Sequence, residues 1–153
     1  MGVKHPRRSF QEFDTHISIL ASALGHIACR RRRSVLMART DHLLKRLKAS
    51  RLDGTYEAEV RRAIRVDLLI LDDFCLRGMD QTETADVYEL VVERHRRAST
   101  VVTSNRDPVE WLGAMADPLL AQSAIDRLQS SAYELVIEGE SYRQRQKPGR
   151  RAS

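Results

Sequence analysis

"VDLLILDDF", residues Val66 to Phe74, decides how this chain is to be read. Its apolar run, Leu68, Leu69, Ile70 and Leu71, has no polar alternation, which suits a strand covered on both faces in a parallel sheet. Asp72 and Asp73 then fall at the C-terminal end of that strand, where open α/β sheets bind ligands. In phosphate-transfer folds the first acid after such a strand holds a nucleotide's magnesium and a second polar group orients the attacking water. An acidic exit from a strand into a loop would read the same way, so the pair by itself leaves both readings open.

Working outward, strand and helix patterns alternate. "MGVKHPRRSFQEF" at the N-terminus reads as an irregular leader. Leu20, Ala23, Leu24, Ile27 and Ala28 recur at helical spacing and predict a helix over Ser18 to Arg31. "SVLMART" (Ser34 to Thr40) reads as a short strand. Asp41 is placed to cap a helix that turns Leu43, Leu44 and Leu47 inward and Lys45, Arg46 and Lys48 outward. Gly54 breaks it, and Tyr56 to Ile64 resumes as helix. Beyond the acidic pair, Asp80 with Glu83 forms a helix-start pair, with Val87, Tyr88, Val91 and Val92 on one side of a helix running to about Arg97. "STVVTSN" (Ser99 to Asn105) predicts a second buried strand, Asp107-Pro108 a helical turn toward Trp111, Pro118 a helix to about Leu128, and "YELVIEG" a last strand. Such alternation predicts an α/β fold with a parallel sheet and crossover connections.

The 153 residues suit one domain, and 42% hydrophobic with 5% aromatic residues suits a helix-rich globule. No apolar run reaches the ~20 residues that span a bilayer, and no signal peptide is visible, so a cytoplasmic protein without a membrane partner is expected. Cys29 and Cys75 have no second pair and read as buried reduced thiols. From Arg30 to Arg65 there are twelve basic residues against four acidic ones, a local +8. Another five basic residues and no acid follow from Arg143 to the end, with the composition of a disordered tail. Charge of this density attracts a polyanion, most plausibly nucleic acid, although solvated helix faces would look alike.

"HLLKRLKASRLDGTYEAEVRRAIRVDLLILDDF", "TADVYELVVERHRRASTVVTSNRDP", "DPLLAQSAIDRL" and "YELVIEGESYR" together resemble the IstB-type transposition helper ATPases of bacterial insertion sequences, AAA+ proteins related to DnaC-type helicase loaders. The resemblance covers residues 18 to 148 or so, with the segments in the family's order. It implies a three-layer parallel-sheet P-loop NTPase (AAA+) fold, ATP and magnesium as cofactors, and DNA and a transposase as partners. It also assigns roles: Asp72 holds magnesium, Asp73 polarises the attacking water, Asn105 reads the γ-phosphate, and Arg127 and Arg143 serve as arginine finger and second sensor. The candidate DNA contacts are Arg30, Arg31, Arg32, Arg33, Lys45, Arg46, Lys48, Arg51, Arg61 and Arg62.

One part of the pattern is missing. A phosphate loop, G-x-x-x-x-G-K-[ST], needs glycines for close backbone approach, a lysine on the phosphates and a hydroxyl on the metal. The lysines here are Lys4, Lys45, Lys48 and Lys147, and none precedes Ser or Thr. Alignment lays "EFDTHIS" over the loop: Asp14 and His16 fall on glycine positions, Ile17 on the lysine and Ser18 on the hydroxyl, so only Ser18 keeps its type. The expected organisation is an irregular leader (1–17) in place of the phosphate loop, a partial AAA+ domain (18–142) lacking the first central strand, and a basic tail (143–153). Such a chain reads as a truncated or frame-shifted helper with impaired ATP binding and turnover. Missing ladder partners would invite pairing with itself or with an intact IstB-like subunit. The alternatives are a catalytically inactive DNA- or partner-binding module and a fragment of a DnaC-type loader.

Overall fold

The structure, a computed structural model, describes residues 10–137, with side chains from residue 17 onward. Its elements run α1 (Phe10–Arg30), β1 (Val35–Arg39), α2 (Thr40–Ser50), α3 (Tyr56–Arg65), β2 (Leu68–Asp72), α4 (Gln81–Arg94), β3 (Ser99–Val102), α5 (Pro108–Ala114) and α6 (Pro118–Ser130). The sheet is parallel throughout, ordered β1-β2-β3, with Val35 beside Leu68 and Leu68 beside Ser99. Helical crossovers join successive strands, as parallel pairing requires.

Strand periodicity divides the sheet into two faces. Leu36, Ala38, Leu69, Leu71 and Val102 point into a core filled by Leu43, Leu44 and Leu47 of α2, Val60 and Ala63 of α3, Val87 and Leu90 of α4, and Ala121 and Ile125 of α6. On the other face, among the described residues, α1 alone lies over β1 and β2. It approaches closely because its inward residues are small: Ala21 is buried, and Gly25 sits where an added Cβ would come within 3.2 Å of Ile70 Cδ1.

Helix starts follow local chemistry. Asp80 caps α4 by accepting from the Glu83 N–H at 2.8 Å while Glu83 Oε2 accepts from the Asp80 N–H at 3.1 Å, a reciprocal capping box. Asp107 caps α5 and Asp117 caps α6, each followed by proline in the first turn. Asp41 does not cap α2: the cap position is Arg39, and Asp41 lies within the first turn, where its carboxylate favours the positive end of the helix dipole.

Three further expectations fail. Residues 10–17 are helical, so α1 begins eight residues before Ser18 and replaces part of the expected irregular leader. Phe10, Phe13, Ile17, Leu20, Leu24 and Ile27 recur at spacings of three and four, and that stripe was the overlooked signal. Residues 133–137 of the expected last strand form no strand, since no neighbour offers them a ladder among the described residues. Cys29 is exposed on α1; only Cys75 is buried, and burial pushes its thiol up to about 12. Residues 1–9 and the basic tail with Arg143 lie outside the described residues.

Candidate functional site

The C-terminal ends of the strands bring Asp72, Asp73, Ser18, Thr103, Thr40 and Arg39 together. Asp72 ends β2 on the face covered by α1, and Ser18, one helical turn before Ala21, is carried to it. Ser18 Oγ lies 2.9 and 2.8 Å from the two carboxylate oxygens of Asp72, so its single proton is shared between them. From β3's end, Thr103 Oγ1 donates to Asp72 Oδ1 and accepts from the Asp73 N–H at 3.1 Å. Thr40 Oγ1 donates to the Asp72 carbonyl at 2.9 Å. Asp72 thus keeps 7% of its exposure, with its carboxylate held by Ser18 and Thr103 and its backbone carbonyl by Thr40.

Asp73 leaves the strand with φ 53°, a left-handed conformation that costs a non-glycine residue energy and must be over-determined by its surroundings. Those surroundings are visible. Arg39 Nε stands 3.4 Å from Asp73 Oδ2, the Phe74 N–H donates to the Thr103 carbonyl at 2.8 Å, and the Phe74 ring meets Trp111 edge-on at 4.9 Å. Trp111 Nε1 donates to Ser104 Oγ, which itself donates to the Phe74 carbonyl. The loops after β2 and β3 are therefore tied into one corner. Burial of Cys75 beside this corner disfavours its thiolate.

Other candidates are dispersed. Asn105 sits two residues past Thr103, half-buried in the turn before α5. Arg127 folds back on its own helix, donating to the Ser123 carbonyl at 2.9 Å and to the Ser123 hydroxyl. Among the basic residues, Arg46 pairs with Glu59 at 3.0 Å and Lys48 with Asp80 at 2.5 Å. Arg51 grips Asp86 with both terminal nitrogens, at 3.0 and 2.6 Å, and stacks 3.9 Å over the Tyr56 ring. These three hold helices together. Arg30, Arg31, Arg32, Lys45, Arg61 and Arg62 are exposed and make no ion pair among the described residues; Arg33 reaches Asp67 at 3.8 Å.

Sequence reasoning missed Thr103, Thr40 and Arg39. Register would have found Thr103: the pairing of Leu71 with Val102 makes it the next residue beside Asp72.

Oxygen donors of this kind suit magnesium, which takes one or two carboxylates and completes its shell with water and substrate phosphates. The phosphate side does not fit. Residues 14–18 are wound into α1, so beyond its first four residues each N–H is engaged within the helix instead of facing a phosphate. Ile17 supplies no charge. Among the described residues no group of three acidic, His or Cys side chains compensates. No helix there is long and apolar enough to cross a membrane.

Comparison with known proteins agrees with the fold. DnaA from Aquifex aeolicus with bound AMPPCP superposes over 70% of this chain and 34% of its own, at a TM-score of 0.63 and 20% identity, which shows a shared α/β fold. An insertion-sequence ATP-binding protein of Mycobacterium tuberculosis is 35% identical over 140 residues, 91% of this chain and 55% of that protein. One from Sinorhizobium fredii is 38% identical over 130 residues, covering 85% and 53%. The chain spans about half the length of the curated relatives it matches. Residues 14–150 match the family described as IstB-like ATP binding protein, and the chain belongs to that family of insertion-sequence proteins.

Proposed function

We propose that this chain acts in insertion-sequence transposition as an IstB-like helper module that engages DNA and a partner protein without turning over ATP by itself. The observation that carries this is the continuity of α1 through Ser18. The hydrogen bonds joining Ser18, Asp72 and Thr103 support a metal-side reading, while the backbone that would cradle phosphate is helical and lacks lysine. Asp73, Asn105, Arg127 and Arg143 keep the family's polar types, but their roles need a nucleotide held by other means, such as an intact subunit whose bound ATP they could face in trans.

A fluorescent ATP analogue titrated with magnesium tests the nucleotide half. No saturable binding is expected from the folded chain; micromolar binding abolished by Asp72→Ala would overturn the proposal.

The exposed basic residues support the DNA half. Arg30 to Arg33 close α1 and lead into β1, at the sheet end opposite Asp72, so DNA held there would leave the acidic corner clear. Binding to a labelled duplex should be largely sequence-independent and should weaken steeply with salt. Replacing Arg30, Arg31, Arg32 and Arg33 by Ala should lower the log–log salt slope by about three to four units if all four meet phosphates, at ~0.9 each. An unchanged slope would remove this corner from the DNA interface. A transposase partner is proposed from the family alone and is tested by co-purification with the transposase of the same element.

A further inference from the structure

Two features have no use in a DNA-binding helper. The first is the outer edge of β3, which has no neighbour among the described residues. The Ser99 N–H donates to the Asp67 carbonyl at 3.1 Å and the Thr103 N–H to the Leu71 carbonyl at 3.0 Å, so alternate residues face β2. Thr100 and Val102 then turn their backbone groups to the open side, the pattern that templates pairing with another strand. Beside this edge a groove of about 410 Å³ lies between Leu24 and Ile27 of α1 and Leu68 and Val101 of the sheet, rimmed by Arg31 and Arg33.

The second feature is Tyr133–Ile137. Tyr133, Leu135 and Ile137 alternate with Glu134 and Val136 at strand period, yet the segment pairs with nothing among the described residues. Tyr133 is fully exposed and Leu135 70% exposed.

We infer that Tyr133–Ile137 of one copy adds as a fourth strand to the β3 edge of a second copy, and that the exchange is reciprocal about a two-fold axis. The two features complement each other in three ways. The edge offers unpaired N–H and C=O groups to an extended backbone. The apolar side of the segment, Tyr133, Leu135 and Ile137, covers the groove residues Leu24, Ile27 and Val101, which otherwise face water. The segment carries Glu134 and runs on in sequence to Glu138 and Glu140 before any basic residue, whereas the groove rim is basic, so charge favours this occupant over a cationic one. Nothing in the exchange requires nucleotide or DNA.

Sedimentation velocity on the full chain across a concentration series should show a monomer–dimer equilibrium. Leu135→Glu/Ile137→Glu alters side chains already exposed in the monomer, so the circular dichroism spectrum should stay the same while the dimer dissociation constant rises at least ~tenfold from lost apolar burial. Thr100→Pro removes an outward N–H and should have a similar effect on dimerisation. Because it also removes the Arg94 Nε bond to Thr100 Oγ1, at 3.0 Å, the segment variant alone decides if this one does not fold. Mixing the two folded variants should restore a heterodimer, since one has an intact segment and the other an intact edge. A monomer at every concentration, or a dimer indifferent to Leu135→Glu/Ile137→Glu, overturns the inference.

Discussion

The two faces of the sheet are built by the same strands and end up differently. Toward α4, Leu69 and Leu71 meet side chains from α2, α3, α4 and α6, and Leu47, Ala63 and Phe74 are fully buried. Toward α1, Ile70 is buried under a single helix whose own Ile19, Leu20, Leu24 and Ile27 remain 40 to 60% exposed. Alternation sends apolar side chains to both faces of a strand, but only sufficient covering elements turn them into a core. A half-covered face is therefore the natural place for a second chain.

Arg94 gives the largest effect that separates the faces. It is 2% exposed at the end of α4 and donates to the carbonyls of Ala63, Ile64, Val66 and Ser99 and to Thr100 Oγ1. Two of those carbonyls belong to the last turn of α3, which has no intrahelical donors for them, so a buried cation there answers the helix's negative end. Arg94→Met should cost about 3–5 kcal/mol in urea unfolding, because several buried acceptors lose their donors together. A loss below ~1 kcal/mol would mean that water replaces the guanidinium and the closed face is less dry than its packing implies.

Next come matched deletions on the two sides. Leu71→Ala should cost about 2–5 kcal/mol, since the surrounding α2, α4 and α6 side chains cannot collapse into the cavity. Ile27→Ala, removing a half-exposed side chain from α1, should stay within about 0.5 kcal/mol for the monomer. Equal losses at the two positions would abolish the distinction between the faces.

This asymmetry explains how much was legible beforehand. Period and capping are local, so the α2 stripe of Leu43, Leu44 and Leu47 and the Asp80–Glu83 box could be read directly. The strand end at Asp72–Asp73 was readable because an unbroken apolar run marks a covered strand, although the pair by itself left its role open. Ser18 came only through family resemblance, as no local pattern links residues 54 positions apart. Thr103 needed the strand register, and the fate of "YELVI" needed to know whether a neighbouring strand exists. That last fact is a property of the assembled sheet, and no propensity within the segment encodes it.

Capping gives a smaller effect on the closed side. Asp80→Ala should lower the thermal unfolding midpoint through loss of the α4 cap. A null result would show that tertiary packing alone fixes where α4 starts.

The smallest effect is pH-dependent. Arg77 binds Glu83 through two hydrogen bonds, at 3.0 and 2.7 Å, and this, with help from the Asp80 backbone, holds the Glu83 carboxyl below the ordinary 4.5 of glutamate against the opposing effect of burial. A carboxylate whose pKa is lower in the folded state contributes stability above the unfolded value and loses it as pH falls through the folded one. The pair's contribution should therefore be complete near neutrality and fade below pH 4.5. Because Arg77 is 41% exposed, solvent screening limits that contribution to about 1 kcal/mol. Glu83→Gln should melt slightly lower than the parent at pH 7, and the two should converge as pH drops below 4.5, with Glu83→Gln showing the flatter acid limb. A gap that stays constant down to that range would mean that Glu83 acts through the shape of the capping box, which glutamine can preserve in part, and that the charge of the Arg77 pair adds nothing to the closed face.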